Sequence, residues 1–136
     1  MLKIALLSDS ETGIKIFQKL SEKLLKKIAD AEISEHFVHS VSDLPFKAKQ
    51  LAASHGLVFV FSLYEEKTKT VEMVLEKLVE IELETGKKII KALEESELDD
   101  INTEDLFEEE RERLASKWAE IIVNTLFNQD KFIPKE

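Results

Sequence analysis

The sequence predicts an α/β fold of three layers, in which a parallel four-stranded sheet lies between two layers of helices. Short apolar runs of strand length alternate with longer segments whose apolar residues recur every three or four positions. Residues 57–63 are apolar almost without interruption, as expected for a strand that is covered on both faces. Strands that alternate with helices in this way form βαβ units and a parallel sheet.

The central βαβ unit is predicted over residues 38–64. Pro45 lacks the N–H group that the start of a helix leaves unpaired, and Ser42 or Asp43 can accept a hydrogen bond from the first turn. A helix is therefore expected to begin here and to end at Gly56, before the strand of residues 57–63. Its apolar face comprises Leu44, Ala48, Leu51 and Ala52.

The first half of the chain begins with a predicted strand at residues 2–7, which ends in the polar loop of residues 8–13. A helix is expected to begin at Ile14, because the apolar residues that follow are spaced for one helical face. These are Ile14, Phe17, Leu20, Leu24 and Ile28. Residues 33–38 are the predicted second strand.

The third helix is predicted over residues 69–84, and its apolar residues spread over roughly 200° of the helix surface. They are Val71, Val74, Leu75, Leu78, Val79, Ile81 and Leu83. A stripe this wide indicates a helix that is either enclosed within the monomer or packed on another subunit. Gly86 is expected to end this helix, before a fourth strand at residues 88–93.

The last helix is predicted over residues 103–127, with Thr103 as its N-cap and acidic residues in its first turn, where the helix dipole favours them. Its expected inner face comprises Phe107, Leu114, Trp118, Ile121 and Thr125. The element order is then βαβαβαβα in one domain, residues 1–136. Right-handed crossovers give the strand order 2-1-3-4 of a flavodoxin-like sandwich.

The composition and the net charge limit the kinds of partner that we expect for this chain. The chain has 136 residues, no cysteine, no apolar run long enough to cross a membrane and no secretory leader, so we expect a cytoplasmic protein without a membrane partner. Residues 94–120 contain 12 acidic and three basic residues, and the whole chain carries a net charge of −9. An acidic surface repels phosphate backbones, so nucleic acid is not an expected partner.

Ligands of open α/β sheets bind at the carboxyl ends of the strands, here the loops at residues 38–43 and 62–70. The sequence contains no glycine-rich phosphate loop, and its histidines lack the spacing of a metal site, so we expect neither a metal nor a cofactor. His36 and His55 are interpreted as surface residues. His39 follows the second strand, where it could act as an acid or base or be a further surface residue.

Residues 38–45 keep the valine, leucine and proline of the V-P-G-A-F-E-[IL]-P segment of lumazine synthases, with Asp43 in place of the glutamate. Asp43-Leu44-Pro45 also matches the D-L-P of archaeal-type riboflavin synthases. Further matches to those enzymes are residues 56–60 with their G-x-x-I-V strand, residues 87–90 with their K-x-I-I strand, and the Leu126-Phe127 ending. The sequence therefore resembles archaeal-type riboflavin synthase, in the lumazine synthase superfamily.

The resemblance implies a dismutation of two molecules of 6,7-dimethyl-8-ribityllumazine to riboflavin and a ribitylaminopyrimidine, without a metal or organic cofactor. Asp43 would hold the ribityl chain. The resemblance does not supply a role for His39, which could act as the catalytic base from its position after the second strand. The implied substrate-binding set is Ser8, Asp9, Ser10, Ser40, Val41, Ser42, Asp43, Ser62, Leu63 and Tyr64. It also implies a homopentamer with residues 71–83 near the axis, which Leu78→Lys is expected to disrupt.

Three features of the family pattern are missing. The first loop has no aromatic residue, the loop after the third strand has no glycine, and residues 71–75 contain no histidine. Two alternatives therefore stand beside riboflavin synthase activity: a lumazine synthase-like enzyme, or a non-catalytic relative that binds a ligand or serves only to oligomerise. Asp43 could likewise be a simple helix cap.

Overall fold

The computed structural model describes residues 1–96 and 101–127, and it confirms the predicted fold class. Four parallel strands form one sheet in the order β2-β1-β3-β4. The strands are β1 (Leu2–Asp9), β2 (Ala31–Val38), β3 (Leu57–Tyr64) and β4 (Lys88–Glu95). The helices are α1 (Phe17–Lys27), α2 (Leu44–Ala52), α3 (Lys69–Thr85) and α4 (Glu104–Phe127). None of these helices is long and apolar enough to cross a membrane.

Alternate residues of each strand point to opposite faces, so the buried strands β1 and β3 supply two separate cores. Helices α1 and α4 cover one face, and α2 and α3 cover the other. We call the first the aromatic face, because Phe59 lies at its centre and contacts three further rings. The ring centroids lie 6.3 Å from Phe17, 6.3 Å from Phe61 and 5.6 Å from Trp118.

The opposite side, which we call the aliphatic face, is filled by smaller side chains. Its core comprises Ala5, Leu7, Leu44, Ala48, Leu51, Ala52, Val58, Val60, Val74, Leu78, Ile81 and Ile89. All four residues predicted for the inner face of α2 belong to it. Leu78 is fully buried here, so the expectation for Leu78→Lys is corrected: a lysine would place an unpaired charge in the core and unfold the chain before it affected assembly.

Helix α1 begins at Phe17, three residues later than predicted. Ile14 and Ile16 are nevertheless buried, each with 1% of its surface exposed. The periodic apolar pattern therefore identified which residues are buried, but not where helical geometry begins.

The two turn glycines have different roles. Gly86 ends α3 in the left-handed conformation with φ 68°, as predicted. Gly56 does not end α2, which stops at Ala52. Its N–H donates to Lys3 O at 2.9 Å, and a Cβ at this position would lie 3.3 Å from Leu2 Cδ1. Gly56 therefore allows β3 to enter the sheet close beside β1.

Helix α3 buries only part of its wide apolar stripe. Val71, Val74, Leu78 and Ile81 are buried, whereas 44% of Val79 and 80% of Leu83 are exposed. The monomer therefore does not enclose this helix. In α4, Thr103 caps the first turn as predicted, with Leu106 N donating to its Oγ1 at 3.2 Å. Its buried face also includes residues that the predicted inner face left out, namely Ala115, Ala119 and Ile122.

Candidate functional site at the carboxyl edge of the sheet

The three loops of the predicted site meet at the carboxyl edge of the sheet, where the first loop joins its two neighbours. Ser10 donates to Val38 O twice, from N at 2.8 Å and from Oγ at 3.0 Å. Thr12 Oγ1 accepts a hydrogen bond from Leu63 N at 3.3 Å. The ends of β2 and β3 are thus fixed relative to the loop after β1, which lies between them.

Three of the predicted binding residues, Ser8, Asp9 and Ser62, are buried, with 2–3% of their surface exposed. Asp9 Oδ1 accepts a hydrogen bond from Thr12 Oγ1 at 2.6 Å, and Thr12 is itself 2% exposed. Asp9 therefore holds Thr12 in the position from which it binds β3. In this conformation the polar groups lie beneath the surface of the edge and organise its loops.

Asp43 lies in a short 3-10 turn, Val41–Asp43, which precedes α2. Its Oδ2 accepts hydrogen bonds from Ser40 N at 3.3 Å and from Ser40 Oγ at 3.2 Å, and Ser40 Oγ lies 2.9 Å from Ser42 Oγ. The prediction that Ser42 or Asp43 caps the first turn of α2 is wrong, because the intervening 3-10 turn directs the carboxylate back to Ser40. The Asp43 side chain is exposed at the rim of the edge.

His39 is also exposed, and its side chain forms no hydrogen bond within the described residues. A general base is normally oriented by a partner on its second ring nitrogen, and His39 has no such partner here. Leu63 and Tyr64 are partly buried at the end of β3. The structure therefore joins the three predicted loops but leaves the predicted base without an orienting partner among the described residues.

A cavity of about 520 Å³ on the aromatic face was not expected from the sequence. It opens at the carboxyl end of the sheet, between α1, β2 and α4. Ser8 pairs with Phe37 on one side and with Phe61 on the other, so one small residue lies between two rings in a row across the strands. The other lining residues are Ile14, Lys15, Ile16, Phe17, Gln18, Lys19, Glu22, Glu35 and Arg111.

Arg111 reaches this cavity from α4. Its guanidinium lies 5.2 Å from the Phe107 ring centroid and is paired with Glu108 through Nη1. Arg111 Nε, however, is buried without a hydrogen-bond partner; among the described residues only Trp118 Nε1 shares that property. An unsatisfied buried donor is uncommon and calls for an acceptor.

Some of this site could have been read from the sequence. Alternate residues of a strand face the same side of the sheet, so Ser8 must face the same core as Ile4 and Leu6. A serine fills less of that core than an isoleucine or a leucine. Arg111 gave no such signal, because it occurs within a run of acidic residues that is typical of a solvated helix surface.

His36 and His55, interpreted as separate surface residues, are brought together on the opposite face of β2. Ser34 Oγ lies 2.8 Å from His36 Nε2 and 3.1 Å from His55 Nε2. His55 Nδ1 lies 2.9 Å from Leu51 O, which can only accept, so this nitrogen carries a proton. Burial, followed by the charges of Lys47 and His55, lowers the pKa of His36. Residues 1–96 and 101–127 contain no group of three or more potential metal-ligating His, Cys, Asp or Glu side chains.

Neither a protein-family model nor a curated protein matches the sequence. Among solved structures, the chain is similar to the MID domain of the N. crassa Argonaute protein QDE-2, with 13% sequence identity and a TM-score of 0.50. The alignment covers 93% of this chain and 99% of that domain. At this identity the similarity shows a shared fold and nothing about the ligand.

Proposed function

We propose that the protein binds a ribityllumazine-type compound at the carboxyl edge of its sheet and that its reaction is a riboflavin synthase-like dismutation. The observation that supports this site is the joining of the three loops by Ser10 and Thr12. The three loops meet beside β1 and β3, where the strand order reverses. This point is the usual ligand position in open α/β sheets.

The exposed Asp43 is suited to the ribityl chain. Its hydrogen bonds to Ser40 use only Oδ2, so Oδ1 remains available to accept hydrogen bonds from ligand hydroxyls. In the dismutation, one ring methyl loses a proton and the resulting carbanion attacks the second molecule. His39, which follows β2 at this edge, could accept that proton as a general base.

A second candidate is a relative that binds the ligand without converting it. Within residues 1–96 and 101–127 the exposed His39 has no orienting partner, which favours this candidate. Lumazine synthase-like activity is a further variant at the same edge, and a cytoplasmic location is part of the same proposal.

The first experiment mixes the purified protein with 6,7-dimethyl-8-ribityllumazine and follows fluorescence. Ligand binding with riboflavin formation supports the enzyme, binding alone supports the non-catalytic relative, and no binding contradicts both. Asp43→Asn is expected to reduce affinity at least about tenfold, because a charge-assisted hydrogen bond is worth about 1.5–3 kcal/mol.

The matched control is Asp30→Asn, at the amino end of the sheet, which should bind the ligand like the wild type. Asp43→Asn should change the free energy of unfolding by less than about 1 kcal/mol, since an asparagine can still accept from Ser40. Equal affinity for the wild type and Asp43→Asn would show that Asp43 is only a turn residue.

The proposal also includes the oligomeric state: the chain forms a homo-oligomer, and the resemblance implies a pentamer. The exposed Val79 and Leu83 on α3 support it, because a monomer leaves both in contact with water. Light scattering should give a mass near five times the 15.6 kDa of one chain, and a monomer mass would contradict assembly. Leu83→Lys should reduce the mass, whereas Leu25→Lys on α1, at a residue also exposed in the monomer, should not.

A further inference from the structure

We propose that the cavity on the aromatic face is a second binding site, which takes a planar aromatic ring carrying one carboxylate. It lies on the face covered by α1 and α4, and Ser8 is the one residue that it shares with the predicted lumazine-binding set. The proposal goes beyond the proposed function and does not depend on it.

The apolar part of the cavity is built for a flat ring. Phe17 and Phe37 lie with centroids 5.6 Å apart, and Phe61 forms the opposite end of the row through Ser8. The volume of about 520 Å³ is within the range of small-molecule sites, roughly 300–1,000 Å³. Phe37 is 48% exposed, although its neighbours Phe17 and Phe61 are buried, so a ring stacked in the cavity would cover apolar surface that is now wet.

The polar part selects a carboxylate. Arg111 keeps its charge at any physiological pH and lines the cavity, with Nη1 paired to Glu108. A carboxylate that accepts from the rest of the guanidinium would form a charge-assisted hydrogen bond, which is about twice as strong as a neutral one. Lys15, whose Nζ lies 5.4 Å from the Phe37 ring centroid, adds a second positive charge to the wall.

The other charged residues limit the ligand to one anionic group. Glu22 and Glu35 also line the cavity and would repel a second carboxylate. Lys19 is already paired with Glu108 and Glu112 of α4, at 3.9 Å and 3.6 Å. The rest of the ligand is therefore expected to be uncharged.

The test measures binding of 2-naphthoate by isothermal titration calorimetry, with 2-naphthalenemethanol as the neutral analogue of the same shape. The wild type should bind naphthoate at least tenfold more tightly than the alcohol. Arg111→Gln should lose at least tenfold in naphthoate affinity. The control Arg113→Gln, on the same helix but outside the cavity lining, should bind naphthoate like the wild type.

If Arg111→Gln fails to fold, as judged by circular dichroism, Phe37→Leu replaces it. This change keeps an apolar side chain at a half-exposed position but removes the ring, and it should weaken naphthoate binding several-fold. No naphthoate binding by the wild type, equal binding of the alcohol, or an affinity unchanged by the substituted variant overturns the proposal.

A competition separates this site from the proposed function. Naphthoate affinity should be unchanged in the presence of saturating 6,7-dimethyl-8-ribityllumazine, and displacement would show that the cavity is not a second site. If the lumazine does not bind at all, the proposed function fails while the naphthoate titrations still decide the cavity.

Discussion

The two faces of the sheet are packed with different kinds of side chain. On the aromatic face, Phe59 and its ring partners fill the space between the strands and α1 and α4. On the aliphatic face, alanines such as Ala5 and Ala48 and the valines of β3 let α2 and α3 pack against the strands. The cavity lies on the aromatic face, where one serine interrupts a row of rings.

The faces also differ in how charges join their elements. The ion pairs between α1 and α4 are exposed, as in Lys23 with Glu112, whose side chain is 50% exposed. On the aliphatic side, Glu82 of α3 is only 18% exposed and bonds the edge strand β4 through Lys91 and through Ile89 N at 3.2 Å. Burial would raise the pKa of Glu82, but the Lys91 and Ile89 hydrogen bonds and the charges of Lys91 and Lys88 lower it overall.

The largest expected effect comes from removing the central ring. Phe59→Ala should lower the free energy of unfolding by about 3–5 kcal/mol, because it leaves a cavity among three aromatic neighbours. Val60→Ala, the next residue on the opposite face, should cost about 1–3 kcal/mol. Urea unfolding at pH 7 measures both. A loss for Phe59→Ala no larger than that for Val60→Ala would contradict the distinction between the faces.

The second prediction compares the two kinds of ion pair. Glu82→Gln should cost about 1–2 kcal/mol at pH 7, since its hydrogen bonds to charged groups are partly shielded from solvent. Glu112→Gln should have a smaller effect, because water screens the exposed pair.

The contribution of Glu82 to the free energy of unfolding depends on pH. Its folded-state pKa is lowered, so its contribution is present above about pH 4.3 and is lost as the pH falls through the folded-state value. In urea unfolding the wild type and Glu82→Gln should therefore differ at pH 7, and the difference should shrink as the pH falls through the folded-state pKa of Glu82. A difference that persists at low pH would assign the effect to packing.

The smallest effect concerns the histidine pair on the aliphatic side of β2. The pKa of His36 is lowered in the folded state, so the unfolded chain binds more protons in acid and stability falls as the pH drops below about 6.5. His36→Gln keeps a donor for Ser34 but does not titrate. It should reduce the stability difference between pH 7.5 and pH 5 by less than about 1 kcal/mol.

The sequence determined the element order, the strand order and most of the core, because burial on a helix or strand follows a period that can be counted. The stripe of α1, the face of α2 and the caps at Thr103 and Gly86 are local properties of this kind. The role of Gly56 was predicted wrongly because it depends on a contact distant in sequence. Its N–H donates to Lys3 O of β1, and a Cβ here would lie 3.3 Å from Leu2 Cδ1, which no local pattern encodes.

The tertiary structure alone decided which side chains meet. The register of β1 with β2 and β3 places Ser8 between Phe37 and Phe61, and the packing of α4 brings Arg111 to the same cavity. The pairing of His36 with His55 depends likewise on how the loop after α2 lies beside β2. The periodicity of the sequence specifies the face of its helix or strand on which each side chain lies. The residues that this side chain contacts are determined only when the helices and strands pack together.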